Sequence, residues 1–230
     1  MAKSKDRLTM KTIKKLSASP SYQQTVFLLC LGAGIVYNSW PLGYLLDNQT
    51  ARRGLASDLE IAGHPFYWLF VSGDVLTAIL LVAVVILLLL KRVSAARSDT
   101  YWLILGGLLM FGLFTGAAAL LPSRCAITSV LRCGMGDDRG LSLDALTSSL
   151  AALGLFISLV SVSLTAGDHA FRALTRVTRV VLVMWSFSCL FFVYLALSHH
   201  DARLSQDALM ILSGIAVAII GLNVADRLTT

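Results

Sequence analysis

The chain is expected to fold as an all-α, polytopic membrane protein, a bundle of six transmembrane helices with both termini in the cytoplasm. Three observations carry that expectation. Of 230 residues, 57% are apolar or aromatic and only 14% are charged, whereas soluble domains run near half and about a quarter. Mean hydropathy is +0.77. Apolar runs of about 20 residues, the length that crosses a hydrocarbon core of roughly 30 Å, recur six times along the chain. No connection between them reaches the roughly 50 residues that an independent water-facing domain needs. The composition also excludes a disordered or collagen-like chain.

Residues 1–20 form a basic tail, with Lys3, Lys5, Arg7, Lys11, Lys14 and Lys15 against the single Asp6. On the cytoplasmic side such a tail is drawn to the anionic lipids of the inner leaflet. Residues 21–230 form one six-helix transmembrane domain. Its first span, about 22–40, ends at Pro41, which removes a backbone donor. That run is too long for the core of a signal peptide, and no small-x-small cleavage site follows it. A mixed segment from Gly43 to Pro65 carries Asp47, Arg52, Arg53, Asp58 and Glu60. Its Asn48-Gln49-Thr50 triplet fits N-glycosylation, a pattern that arises often by chance.

The second span, about 65–90, stops at Lys91-Arg92, and the third, about 101–121, ends at Pro122. The fourth covers about 142–166 and is broken by Gly167-Asp168-His169. The fifth covers about 174–197 and the sixth about 206–225. The first three spans show no visible repeat in the last three, as many transporters would have. Asp74 of the second span has no acidic counterpart in the fifth, whose polar content is Ser186, Ser188 and Cys189.

Orientation follows from the basic residues, thirteen on the side of both termini against six on the other. The positive side stays in the cytoplasm. Trp40, Tyr67, Trp68, Tyr101 and Trp102 stand near span ends, as an interfacial aromatic belt requires. The net charge of +6 does not indicate nucleic acid, because the basic residues cap apolar runs and form no aromatic-studded patch. The expected setting is the cell (plasma) membrane, with lipids as partners and room for a membrane-protein partner or a second copy.

Asp74 is the first candidate for function. It lies about nine residues into the second span, roughly 13 Å from the outer end. A carboxylate at that depth is costly unless paired, hydrated or protonated, and such residues mark functional sites by default. The plainer reading is a structural acceptor for hydroxyls of neighbouring helices. Ser72, Thr77 and Tyr67 are its expected companions. On the fourth span, Asp144, Thr147, Ala151, Gly154, Ser158 and Ser161 recur at spacings of three and four, placing small and polar groups on one face. Asp144, Thr147 and Ser158 would complete an outward-opening polar pocket. The same stripe equally suits close helix packing, as does the Gly112/Gly116 pair of the third span.

Cys125 and Cys133 share the outer loop between spans three and four, where an oxidising compartment favours a disulfide over two free thiols. Cys30 and Cys189 lie inside apolar runs and read as small core residues. His64, His169, His199 and His200 show no metal-ligand spacing. No phosphate loop, catalytic triad or CxxC pair is present, so neither cofactor nor metal is expected.

The stretch Leu59-Glu60-Ile61-Ala62-Gly63-His64-Pro65-Phe66-Tyr67-Trp68-Leu69-Phe70, followed by Gly73-Asp74, resembles the opening of helix two in a bacterial membrane family of unknown function. That family is domain of unknown function 998, itself distantly similar to the Frag–DRAM–Sfk membrane group. The loop Pro122…Cys125…Cys133 leading into a polar fourth helix is similar as well, and the resemblance extends from helix one to helix six. Histidine is common in that family near the start of helix four, where Ser142-Leu143-Asp144 stand here. The resemblance therefore implies the six-helix fold, while histidine-based activity does not carry over.

Three functions compete. The leading one is a non-catalytic membrane protein whose polar pocket holds a lipid headgroup or a partner's helix. The second is a small proton-coupled transporter or channel with Asp74 as the protonatable group. The third, an intramembrane enzyme acting on lipid, lacks both a metal set and a nucleophile set.

Overall fold

A computed structural model of the chain describes residues 20–46, 59–60, 64–90, 99–121, 138–164, 172–198 and 202–227. Its long elements are α1 (Pro20–Tyr37), α3 (Tyr67–Leu90), α4 (Asp99–Leu120), α5 (Asp138–Leu164), α6 (Arg172–Leu197) and α7 (Arg203–Arg227), with a single-turn α2 (Leu42–Leu46) after α1. Helices α3 to α7 are long and apolar enough to cross a membrane. The multi-pass, all-helical architecture stands on those five. The basic tail, the Cys125–Cys133 pair, the Asn48 triplet, His169, His199 and His200 lie outside the described residues.

Helix α1 stops at Tyr37, earlier than the expected end at Trp40. The reason is local. Asn38 and Ser39 donate to the carbonyls of Ile35 and Val36 at 3.1 Å, three residues back, which tightens the last turn. Pro41 then disfavours helical geometry at the residue before it.

Helices α7, α1, α3, α4 and α5 follow one another around the bundle, each packed on the next. Helix α6 leans on the outside, held by α7 and more sparingly by α5. Most of these helices are apolar on every side, so hydrophobicity alone cannot choose the buried face in a lipid solvent. Close approach at small residues chooses it. A Cβ on Gly154 of α5 would stand 2.7 Å from the Gly107 carbonyl oxygen of α4, and one on Gly34 of α1 would stand 2.5 Å from that of Gly214 in α7. A Cβ on Gly116 of α4 would stand 2.8 Å from the Ala78 Cβ of α3. The shared core then fills with Val26, Leu81, Val84, Ile104, Leu108, Leu155, Leu159 and Ile220.

The C-terminal end of α3 shows how polar backbone is managed. Its last carbonyls have no partner within the helix. Tyr22 of α1 donates its hydroxyl to Leu87 O at 2.7 Å, and Tyr101 of α4 donates to Leu88 O at 3.3 Å. Two hydroxyls from flanking helices thus take up two of the terminal carbonyls of α3.

Candidate functional site

Opposite that end of α3, the helices enclose a polar chamber of about 180 Å³. It lies in the half of the bundle that holds the C-terminal end of α1 and the N-terminal ends of α3, α5 and α7. Its polar lining includes Tyr37, Glu60, Asp74, Thr115, Gln206 and Ser213, from four helices and the segment before α3. Tyr37 lies within electrostatic reach of both Asp74 and Glu60. Ser148 of α5 also opens onto the space. No Lys, Arg or His is among the described residues lining it.

Each polar group is placed by local packing. Glu60 follows Leu59, which is buried in a satellite apolar cluster with Trp40 and Phe70. His64 accepts a hydrogen bond from the Phe66 backbone N–H at 3.2 Å on its Nδ1 and so opens the turn into α3. Asp74 comes one turn below Phe70, which is buried in that cluster. Thr115, 4% exposed, lies between Gly112 and Gly116 and borders the chamber. Ser213 donates to Leu209 O at 2.8 Å and accepts from Trp185 Nε1 at 2.9 Å.

Beside the chamber, α5 and α6 part to form a fissure of about 720 Å³. Ala145, Ala152, Leu153 and Phe156 line one wall, and Trp185, Cys189, Leu190 and Val193 line the other. Leu153, Phe156, Leu190 and Val193 are exposed at its lips, on the perimeter of the bundle. Phe156 stacks on Trp185 with ring centroids 6.3 Å apart, bridging the two helices. Further along, Arg179 of α6 reaches the Ser163 carbonyl of α5 at 3.5 Å. Chamber and fissure share Ser148, Ala152, Trp185, Phe192, Gln206 and Leu209, so the polar space continues into the apolar one.

Of the residues expected to share a pocket, Asp74 lines the chamber, and Ser72, Thr77, Tyr67, Thr147 and Ser158 have different surroundings. Ser72 is exposed and donates to its own helix at Leu69 O, 2.8 Å. Thr77 is buried against α1, with its hydroxyl 3.0 Å from Gly73 O and 3.3 Å from Ala33 O. Tyr67 is half-buried and packs edge-on against Trp68. Thr147 donates to Leu143 O at 3.0 Å within α5. Ser158 crosses to α4 and donates to Ile104 O at 3.0 Å, beside Gly107. The Gly154–Ser158 part of the small-residue stripe is therefore a packing seam, and the chamber takes Ala151 of the stripe together with Ser148 and Ala152 beside it. The Asp144 side chain lies outside the described residues.

Sequence reasoning passed over Tyr37, Glu60, Thr115, Trp185, Gln206 and Ser213. One of them carried a signal. Trp185 stands mid-span while the other three tryptophans stand near span ends, and a buried indole N–H needs a partner. Among the described residues no three His, Cys, Asp or Glu side chains gather as a metal set. Comparisons of the chain with protein-family models, with curated proteins and with solved structures find no match.

Proposed function

We propose that this is a non-catalytic, six-span protein of the cell membrane that binds an amphiphile, with the headgroup in the chamber and the chain in the fissure. The supporting observation is the wall shared by a polar chamber and a lateral apolar fissure. Each space alone is ordinary in a membrane bundle. Joined, they match a molecule that is polar at one end and apolar at the other. The fissure volume also falls in the range of small-molecule sites, about 300–1,000 Å³. A partner's helix is the weaker occupant, because it would leave the inner chamber unfilled.

In this reading α1 crosses as the sixth span, both termini are cytoplasmic and the chamber faces outward. Kinship with domain of unknown function 998 fits that topology and rests on the Leu59–Phe70 stretch and Gly73-Asp74. The anionic inner leaflet holds the basic tail. Proton-coupled transport is the second reading, favoured by the position of Asp74 on the chamber wall. Catalysis on a lipid ranks behind both.

Native mass spectrometry of the protein released from lipid nanodiscs tests the leading reading. The wild type should retain an amphiphile that survives mild activation. Ala152→Phe, which fills the junction of the two spaces, should lose it while the fold persists. Equal retention by both proteins would defeat the proposal.

A further inference from the structure

We propose that the outward face of α6 holds one anionic phospholipid, with its phosphate at Arg176 and Arg179 and an acyl chain along Val180, Val183 and Phe187. This face is separate from the fissure, whose α6 wall is Trp185, Cys189 and Val193 on a different side of the same helix. Whatever occupies the fissure, the lipid on this face stands or falls by itself.

Charge placement is the first ground. Arg176 and Arg179 lie inside the apolar span Leu174–Leu197, not ahead of it, and both are exposed. A spacing of three residues puts them on one helix face. Basic side chains just inside the end of a span extend their heads to the level of the lipid phosphates. Thr178, between them, turns the other way and meets Asn223 of α7. Arg179 gives one N–H to Ser163 O of α5 at 3.5 Å, which sets its guanidinium at the α5–α6 seam. The remaining donors form a fork that fits two phosphate oxygens. Neither α6 nor the Ala145–Leu164 span of α5 contains an acidic residue, so the neighbouring spans offer no carboxylate to compete with a phosphate.

The apolar surface beneath the arginines is the second ground. Val180, Val183 and Phe187 are 57%, 67% and 68% exposed. Phe187 lies nearly parallel to Phe191, with centroids 6.1 Å apart and planes at 8°, which gives the strip a flat apolar floor. From Arg176 to Phe187 the helix rises about 16 Å, close to one leaflet of a hydrocarbon core roughly 30 Å thick. A cationic head above an apolar strip one leaflet deep is complementary to an anionic lipid, and a free phosphate would leave the strip unused. Basic clefts between spanning helices near the membrane surface recognise anionic headgroups in this way. Helix α6 is also the least enclosed of the spans, so a lipid seated on it becomes part of its packing.

The test reads the full chain in neutral detergent micelles by native mass spectrometry. Two probes share dioleoyl chains and a phosphate and differ in net charge: phosphatidylglycerol and phosphatidylcholine. A third, glycerol phosphate, has the head and no chain. The wild type should retain one phosphatidylglycerol at least about tenfold more tightly than phosphatidylcholine. Arg176→Gln leaves the Arg179–Ser163 bond in place and should cut that preference several-fold, and Arg176→Gln/Arg179→Gln should abolish it. If the double variant fails to fold, the single one decides. Neutralising the tail by Lys11→Gln/Lys14→Gln/Lys15→Gln should leave the preference intact. Equal retention of the two lipids by the wild type, or a preference unchanged by Arg176→Gln, would overturn the site. Loss of the preference in the tail variant alone would move the lipid to the tail and overturn it too. Glycerol phosphate bound as tightly as phosphatidylglycerol would assign the arginines to a soluble phosphate. A dimer that excludes lipid would assign the face to a second copy. Either result would overturn the lipid site.

Discussion

The indole N–H of Trp185 donates to Ser213 Oγ at 2.9 Å, joining α6 to α7 where the chamber meets the fissure. Helix α6 is the least enclosed of the membrane-crossing helices. Its polar ties to α7 therefore matter more than such bonds would in a buried helix. A second tie, Asn223 Nδ2 to Thr178 Oγ1 at 3.4 Å, sits nearer the other end. Phe156 stacks on the same indole, and Trp185 is one of the six residues that line both spaces.

The bond should be measurable as a coupling. Interhelical hydrogen bonds in membrane proteins contribute about 0.6 kcal/mol on average and up to about 1.7. Trp185→Phe and Ser213→Ala should each destabilise, and the double variant should cost less than the sum of the two by that amount. Equilibrium unfolding in mixed micelles measures all three. Strict additivity would mean that the contact is incidental. Trp185→Phe should also alter amphiphile retention, because the shared wall changes.

A second expectation concerns the α4–α5 seam. Gly107 and Gly154 face each other, and a Cβ on Gly154 would stand 2.7 Å from both Gly107 O and Phe111 N. Backbone atoms cannot step aside as the tip of a flexible side chain can. Gly154→Ala should therefore cost about 1–3 kcal/mol, the range for overpacking in a close-packed interior. Gly106, one residue from Gly107, has nothing within 4 Å of its Cβ position. Gly106→Ala should be neutral or stabilise by up to about 1 kcal/mol, as alanine is the better helix former. Thermal unfolding of the pair in one detergent reads the contrast. Equal destabilisation by both would contradict the seam.

The fold was legible because spans in a lipid solvent announce themselves by length and apolarity, and Pro41 and Pro122 punctuate two of them. The site was less legible for a physical reason. Spans that are apolar on all sides carry no periodic signal to say which face is buried, so Thr77 and Ser158 looked as suited to a cavity as Ser148. Only the approach of Gly107 to Gly154 and of Gly73 to α1 turns the first two onto neighbouring backbones. Asp74 was legible because a carboxylate in a span stands out by cost alone. Glu60 was not, since in the sequence it belongs to a mixed connection, and its place on the chamber wall depends on Leu59 being buried.

Topology gives the third expectation, drawn from the thirteen-to-six bias of basic residues. Reporter fusions after Gly134 and at Thr230 should report opposite sides of the membrane, with Thr230 inside. If both report the same side, the orientation and the outward-facing chamber fall together. Cys125 and Cys133 supply a second readout of the same loop. In an oxidising compartment both thiols should resist alkylation until reduced, and ready labelling of both would remove the disulfide.

The last expectation separates the two leading functions at Asp74. Asparagine has nearly the same shape as aspartate and can hydrogen-bond, but it neither carries charge nor exchanges a proton. Leucine fills similar space with no polar atom and would leave the neighbouring polar lining to face an apolar wall. Asp74→Asn should therefore keep the melting temperature of the wild type within a few degrees. Asp74→Leu should lower stability by about 1–3 kcal/mol, the cost of leaving buried polar groups unsatisfied. Function then divides the readings. An amphiphile-binding protein should show no proton flux in proteoliposomes under an imposed pH gradient, with or without Asp74, and Asp74→Asn should lose binding strength alone. A proton-coupled transporter should pass protons with its substrate in the wild type and stop in Asp74→Asn, although that variant folds as well. Flux that is present in the wild type and abolished by asparagine would replace the binding reading with the transport one.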